Sequence, residues 1–192
     1  MGAVPIAWLV ARAAGLAAFG FLTLSTWLGL GMSTRLLGPR RQKALLGWHR
    51  TLVWTGLSLV GLHVVALLLD PTLHFGVGAV LVPFLAPWHP GAVAAGVVAG
   101  WLALTLAVSF RLRKWIGQRG WRRLHYASFL AFLLSVAHAL VVGTDLHGVG
   151  GPILAAIVLG PTLWLVLLRV LAPSPMPRVR PAVTVASTSS GS

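Results

Sequence analysis

The sequence predicts an all-α integral membrane protein, built as a five-helix transmembrane bundle with an external re-entrant or interfacial lid. Three observations favour this fold class. First, 57% of the 192 residues are hydrophobic and 9% are charged, whereas a water-soluble domain carries about a quarter of its residues as charged side chains. Second, the apolar residues form runs that reach the ~20 residues needed to cross a bilayer. Third, the Lys and Arg residues gather in alternate connections between those runs.

Each predicted span is an apolar run bounded by charged residues, glycine or proline. The first run is interpreted as a retained helix, because the residues before it lack the basic start of a signal peptide. The predicted spans are residues 13–32, 44–69, 91–110, 124–143 and 152–172. Together they form one predicted transmembrane domain, residues 1–172. Residues 173–192 are rich in Pro, Ser and Thr, and we expect them to form a disordered cytoplasmic tail.

The connection between the second and third spans, residues 72–90, has an apolar part of its own. That part, residues 75–86, is too short to cross a bilayer and is interrupted by Gly76, Gly78 and Pro83. A non-spanning apolar segment lies in the membrane interface or folds back against the bundle. We therefore expect residues 72–90 to form the external lid.

The charge distribution predicts the orientation in a cell membrane. With five spans, all the Lys and Arg residues except Arg12 fall on one side, and Arg12 falls on the other side with Asp70 and Asp145. Because basic loops are cytoplasmic, we expect the N-terminus outside and the C-terminus inside. The formal charge of +13 then reflects membrane topology, so membrane lipid is a predicted partner and nucleic acid is not.

Metal chemistry in this chain rests on histidine, since the sequence holds 7 histidines and no cysteine. The lack of cysteine excludes disulfides, thiolate-held iron–sulfur clusters and covalent c-type haem attachment. His49 and His63 lie in the second predicted span, and His125 and His138 lie in the fourth. Ionisable residues inside a membrane are costly and mark function by default.

The spacing of these four histidines predicts two level pairs. His49 and His63 are separated by about 21 Å along a helix, and His125 and His138 by about 19.5 Å. The second and fourth spans run in the same direction, so we expect His49 to be level with His125, and His63 with His138. Two such pairs suit two haem b groups, each iron held between two imidazoles. The alternative is that each histidine only hydrogen-bonds across the bundle.

The spacing from His125 to His138 does not fit an ideal helix. Thirteen residues at ~100° each end about 140° short of four turns, so the two side chains would point in different directions. Either a tightened turn distorts the fourth span, or the two haems are offset sideways. The sequence leaves both solutions open.

Further polar residues are assigned by their position near the histidines. Guanidinium groups pair well with carboxylates, so we expect four arginines to bind haem propionates, with ordinary membrane topology as the competing role. They are Arg50, Arg122 and Arg123 at the basic end, and Arg12 at the other end. His74, His89 and His147 lie in predicted external loops, where a solvated role and a metal or substrate role both stay open.

The two histidine-bearing segments resemble a known family. GWHRTLVWTGLSLVGLHVV at residues 47–65 and RRLHYASFLAFLLSVAHAL at residues 122–140 are similar to the haem-binding helices of the ferric reductase-like transmembrane family. That family includes the membrane core of NADPH oxidases and the haem subunit of the periplasmic methionine sulfoxide reductase. The resemblance implies that an inner haem b is ligated by His49 and His125. It implies that an outer haem b is ligated by His63 and His138.

The resemblance and the topology together predict electron transfer across the membrane, as the haem-binding subunit of an oxidoreductase. No flavin or NAD(P) motif is found, so the expected electron donor is a separate flavoprotein reductase or a quinol. The expected acceptor is an external protein or metal. Two alternatives stay open. One is a ferric, metal or oxygen reductase acting at the outer haem, and the other is a haem-free membrane transporter or assembly protein.

Overall fold

The computed structural model describes residues 6–34, 39–144 and 148–171. Within these residues the chain is helical and forms no strand, which confirms the predicted all-α class. The helices are α1 Ile6–Ser33, α2 Pro39–Leu69, α3 Val77–Leu81, α4 Pro90–His125, α5 Ala127–Val142 and α6 Gly150–Leu171. The predicted tail, residues 173–192, lies outside the described residues.

Long apolar helices make up most of the described chain. The segments long and apolar enough to cross a membrane are Ile6–Ser33, Arg41–Leu69, Pro90–Val142 and Gly150–Leu171. The third segment contains both α4 and α5, which correspond to the third and fourth predicted spans. Large apolar side chains such as Leu62, Leu133 and Leu163 lie exposed on the outer surface. Such a surface requires lipid around it, so the chain has the character of a multi-pass membrane protein.

Helices α1 and α2 form an antiparallel pair in close contact. Most buried residues of α1 are small: Ala11, Ala14, Ala18, Thr23 and Ser25, beside Leu30. On α2, a Cβ atom added at Gly56 would lie 2.8 Å from the side chain of Leu22, so the two backbones approach each other closely there. Small residues permit this approach, because lipid tails exert no hydrophobic force between helices and association depends on packing.

The fourth predicted span is divided in the structure. His125 is the last residue of α4, and α5 begins two residues later. Between them, the Tyr126 N–H donates to the carbonyl of Arg123 and the Phe129 N–H donates to the carbonyl of Tyr126, both at 3.1 Å. Hydrogen bonds from residue i+3 to residue i are those of a tightened 3₁₀-type turn. Of the two solutions left open above, the tightened turn is therefore present.

Helix α4 continues well beyond the predicted end of the third span at Phe110. It is interrupted at Gly117, whose φ of 72° and ψ of 160° lie outside the helical region. Glycine adopts this φ without the steric cost that a Cβ atom would add. Residues 111–120 around this break are exposed, so this part of α4 extends past the packed bundle.

Residues 72–90 connect α2 to α4 without forming a further long helix. Helix α3, with 5 residues, is the one helix in this connection and is far too short to span a bilayer. Four side chains of the connection form a buried cluster with Val93 of α4: Phe75, Ala79, Val80 and Ala86. The Trp101 Nε1–H also donates to the carbonyl of Leu81 at 3.0 Å. These contacts hold the predicted lid against α2 and α4.

Asp70 follows the last residue of α2 and organises the first turn of the lid. It is 3% exposed, and its Oδ1 accepts hydrogen bonds from the Thr72 N–H, the Thr72 hydroxyl and the Leu73 N–H. The Thr72 hydroxyl is the largest influence and lowers the pKa of the Asp70 carboxyl. Burial raises that pKa, while the two backbone N–H groups and the nearby His74 lower it further. The turn is therefore held by an ionised carboxylate.

Replacing Thr72 by Val should weaken the dependence of stability on pH. Because the folded-state pKa of Asp70 lies below the unfolded value of about 3.9, its ionised form stabilises the fold above that pH. This stabilisation is lost as the pH falls through the folded-state pKa. We expect Thr72→Val to lower the thermal unfolding midpoint in detergent at neutral pH, and the difference from the parent to shrink below about pH 4.

The control is Thr34→Val, which removes a hydroxyl that donates to the neutral carbonyl of Gly31 at 2.7 Å. No carboxylate is involved in that bond, so its loss should lower the midpoint equally at every pH. A pH-independent loss in Thr72→Val as well would contradict the role assigned to Asp70.

Candidate functional site

The structure brings the four predicted histidines together as two pairs. The ring centroids of His49 and His125 are 6.4 Å apart, with an angle of 73° between the ring planes. The centroids of His63 and His138 are also 6.4 Å apart, at 81°. Two metal–imidazole bonds of roughly 2 Å each, together with the radii of two rings, span about 6 Å. Each pair therefore leaves room for one metal ion between its rings.

Helix geometry explains how two such pairs arise at different depths. His49 and His63 lie nearly on one face of α2, because their spacing is close to four whole turns. His125 ends α4 and His138 lies within α5, with the tightened turn between them. A 3₁₀-type turn rotates by about 120° per residue instead of 100°, which recovers part of the missing angle.

Three of the four imidazoles are oriented by backbone carbonyls of a neighbouring helix. The Nδ1 of His63 lies 2.7 Å from the carbonyl oxygen of Ala11, and the Nδ1 of His138 lies 2.9 Å from that of Ala92. The Nδ1 of His49 lies 2.9 Å from both the carbonyl oxygen and the Oγ of Ser25. A carbonyl accepts only, so Nδ1 carries the proton and Nε2 keeps its lone pair. Neutral imidazole in this tautomer is a metal ligand through Nε2.

A glycine stands four residues after each of these carbonyls. A Cβ atom would lie 2.9 Å from the ring of His63 if added at Gly15, and 2.6 Å from the ring of His138 if added at Gly96. Gly29 stands in the same relation to His49, at 3.4 Å. A helical side chain covers the turn before its own Cα, so glycine at this position uncovers the carbonyl for a second hydrogen bond. Each glycine thus admits an imidazole to the surface of the neighbouring helix.

His63 of α2 faces His138 of α5, and His49 of α2 faces His125 at the end of α4. We call the space between these facing histidines the central gap. Among the described residues, no Cα atom of α2 lies within 8 Å of a Cα atom of α5, although the rings of His63 and His138 reach across. All four histidine rings are half-buried, so each keeps an accessible surface. A flat group placed in the central gap would contact helices on both sides and have an axial imidazole from each.

The donor set fits a haem iron better than a bare metal ion. In the described part of the chain, no group of three or more His, Cys, Asp or Glu side chains comes together. Zinc needs about four ligands from such residues, and two histidines do not hold it alone. A haem iron already has its porphyrin nitrogens and lacks only axial ligands, which two facing imidazoles provide. The residues present therefore fit two haem groups.

His125 differs from the other three histidines. Among the described residues, its buried Nδ1 has no hydrogen-bond partner, and one face of its ring stacks on Trp121 with centroids 4.9 Å apart at 22°. The buried Nε1 of Trp121 likewise has no partner within that part of the chain. An aromatic surface thus orients this imidazole, where a carbonyl orients the others.

The four predicted arginines take different positions. The Arg50 guanidinium lies 5.3 Å from the ring centroid of Phe110, one residue from His49. Arg122 and Arg123 are exposed beside His125. Arg12 places its guanidinium 3.9 Å from the ring centroid of Trp8, and Arg12 directly follows the carbonyl that binds His63. Arg50, Arg122 and Arg123 therefore lie near a paired histidine in the chain, and Arg12 follows the residue whose carbonyl contacts His63.

Of the three loop histidines, the two that the structure describes, His74 and His89, make contacts within the lid. His74 is exposed with its Nδ1 3.1 Å from the carbonyl of Thr72, and His89 packs against Trp88 at 4.4 Å. Both have positive φ angles, 51° and 43°. His147 lies outside the described residues.

Sequence reasoning missed the residues that orient the histidines. One signal was available: Gly15 and Gly29 have the same separation as His49 and His63. An antiparallel pair of helices brings equal spacings into register, so that equality indicates contact between α1 and α2. The spacing of Gly96 and Gly100 indicates close helix packing and does not point to His138, and Ser25 carried no pattern.

Comparison with models of protein families, with curated proteins and with solved structures finds no match for this chain.

The contact between Gly96 and His138 makes a testable prediction. Gly96→Ala places a methyl group within 2.6 Å of the imidazole and should displace it from the Ala92 carbonyl. We expect a loss of about 1 to 3 kcal/mol of stability, as in other overpacked sites. The measurement is the unfolding free energy or thermal midpoint of the purified protein in detergent.

The matched control lies one turn along the same helix. A Cβ atom at Gly100 would meet only Val60, at 4.0 Å. Gly100→Ala should therefore leave the stability unchanged or raise it by roughly 0.5 to 1 kcal/mol, since glycine disfavours a helix interior. Equal effects of the two substitutions would show that Gly96 does not serve His138.

Proposed function

We propose that this chain carries electrons across a cell membrane by means of two b-type haems held in the central gap. One observation carries the proposal: two pairs of facing imidazoles with equal centroid separations of 6.4 Å. The orientation of three Nδ1 atoms toward carbonyls supports it, because their Nε2 atoms are left free as axial ligands. The resemblance of both histidine-bearing segments to the ferric reductase-like transmembrane family supports the same function.

Each of the two haems would be held by its own set of residues. His49 and His125 would hold the inner haem, and His63 and His138 the outer one. When bound, the haems would supply one-electron redox chemistry, while the protein sets their spacing and axial ligands. Arg50, Arg122 and Arg123 would pair with propionates of the inner haem, and Arg12 with one of the outer haem, since guanidinium binds carboxylate in a bidentate manner.

The proposed orientation has five spans with the N-terminus outside. The described cations of α4 and α6 and those at the start of α2 would then lie on the cytoplasmic side, as the positive-inside rule requires. Electrons would come from a separate flavoprotein reductase or a membrane quinol and leave to an external acceptor protein or metal. The lid, residues 72–90, would cover the outer haem at the point of exit.

Two other functions remain candidates on specific observations. The buried cluster around Phe75 and Val80 packs the lid close to α2, which would suit a substrate site for ferric iron or oxygen at the outer haem. Intramembrane histidines in pairs would also suit a haem-free transporter that moves protons or metal ions. Absorbance spectroscopy separates the second candidate from the others, because bis-histidine haem gives a sharp α-band when reduced and a haem-free protein gives none.

The proposal predicts two haem b per chain. His49→Ala or His125→Ala should remove the inner haem, and His63→Ala or His138→Ala the outer one, because each iron loses an axial ligand. Haem content per chain, measured as the pyridine haemochrome, and the reduced-minus-oxidised spectrum check this. His74→Ala is the control: this exposed lid histidine faces neither pair, so both haems should remain. A wild-type ratio of one haem, or equal losses in all four variants, would disprove the two-site assignment.

Sidedness is tested with reporter fusions. A reporter placed after Gly117 should behave as cytoplasmic, since the surrounding segment carries several cations. A reporter placed within residues 72–90 should behave as external. Alkaline phosphatase activity reports an external site, and the fluorescence of a fused fluorescent protein reports a cytoplasmic site. The reverse pattern would place the haem of His49 and His125 on the external side and reverse the direction of electron flow.

A further inference from the structure

An aromatic chain leads from the surface of α4 to the His49–His125 pair. The ring centroids of Phe110 and Trp121 are 5.7 Å apart, at 75°, and Trp121 stacks on His125 with centroids 4.9 Å apart. Phe110 is half-buried and borders a cleft at the Gly117 break. Two aromatic rings, Phe110 and Trp121, thus connect an accessible cleft with the imidazole of His125.

Cations surround the exposed end of this aromatic chain. The guanidinium of Arg50 lies 5.3 Å from the Phe110 ring centroid, and that of Arg113 lies 4.8 Å from it. The guanidinium of Arg111 lies 5.3 Å from the ring of Trp54, which joins α4 to α2 at this level. The cleft is lined by Phe110, Arg111, Arg113, Lys114, Gly117 and Gln118. A donor that docks here must therefore carry negative charge.

We propose that residues 110–118 form the docking surface for an acidic electron-donor flavoprotein, and that Phe110 and Trp121 carry its electron to the His49–His125 pair. This inference rests on the proposed function and specifies its donor and point of contact. The reduced flavin of the partner would give up one electron, and a haem held by His49 and His125 would supply the one-electron acceptor. No covalent bond forms or breaks in this chain during the transfer.

The shape of the segment favours a protein as the occupant. Residues 111–120 are all exposed and extend past the packed bundle, and Trp115 is 78% exposed. A projecting segment with an open cleft presents an exposed cationic surface that a large partner can cover. It does complement the acidic face of a soluble partner, because opposite surface charges steer association and fix orientation.

Trp121 is the part of the route that offers the sharpest test. Electron transfer slows steeply as the distance between donor and acceptor groups grows, so an aromatic ring between Phe110 and His125 shortens the gap. Trp121→Leu removes the ring, and Trp121→Phe retains one. We expect Trp121→Leu to slow the reduction of each bound haem several-fold, whatever the loss of haem content, and Trp121→Phe, whose ring can still stack on His125, to restore most of the rate. A purely structural role would lower the haem content and leave the rate per bound haem unchanged.

The docking surface is tested by charge reversal with two reductants. The donors are reduced flavodoxin, a small acidic flavoprotein, and the methyl viologen radical, a small cation that needs no acidic docking face. In Arg113→Glu/Lys114→Glu, reduction by flavodoxin should fall about ten- to hundredfold at low salt, and reduction by methyl viologen should not fall. Arg41→Glu/Lys43→Glu makes the same change in net charge at the exposed start of α2 and should leave both rates near those of the parent.

Binding supplies a readout that does not depend on the haems. Oxidised flavodoxin should bind immobilised parent protein and the His125→Ala variant alike, more weakly as salt rises, and should lose binding to Arg113→Glu/Lys114→Glu. Unchanged flavodoxin binding and rates in that variant would overturn the docking surface. An effect that follows the content of anionic lipid in nanodiscs, instead of flavodoxin, would assign residues 110–118 to lipid headgroups. A parent protein without haem would refute the proposed function itself, which is a separate result.

Discussion

The hydrogen bond from an imidazole Nδ1 to a helix carbonyl is the interaction on which the site depends. That carbonyl already accepts the N–H of its own helix and uses its second lone pair for the histidine. The imidazole reaches it only where the side chain four residues later is absent, which explains Gly15 beside His63 and Gly96 beside His138. These contacts draw α1 onto α2 and α4 onto α5. Among the described residues, α2 and α5 make no close backbone contact, and the facing histidines meet in the central gap.

The two levels of the site are not equivalent. At one level, the Nδ1–H groups of both His63 and His138 donate to backbone carbonyls, which fixes the tautomer and the ring orientation. At the other level, His49 has Ser25 as its hydrogen-bond partner, whereas His125 stacks on Trp121 and its Nδ1 has no hydrogen-bond partner in the described part of the chain. His125 is also the residue that ends α4 at the tightened turn. In the proposed function, this level is also the one that receives electrons.

Much of the site could be predicted because it depends on local spacing. The separation of His49 and His63 fixes one helical face, and the charges at each end of the spans fix a direction, so two level pairs follow without any knowledge of packing. The boundary at Tyr126 was not predicted, because residues 124–143 read as one apolar run and a tightened turn leaves no mark in hydropathy. The expected angular misfit was nevertheless the correct sign that this segment is not one regular helix.

The sequence by itself determined the helical class, the long apolar segments and the histidines that can pair, since composition and periodicity follow directly from the order of residues. Only the tertiary structure decided which atoms orient those histidines. Ala11 and His63, or Ala92 and His138, are far apart in the chain, and their contact depends on how two antiparallel helices slide into register. The glycine spacing on α1 matched the histidine spacing on α2 from the start. Its significance became clear only from the contact between α1 and α2, because a close approach depends on the surfaces of both helices.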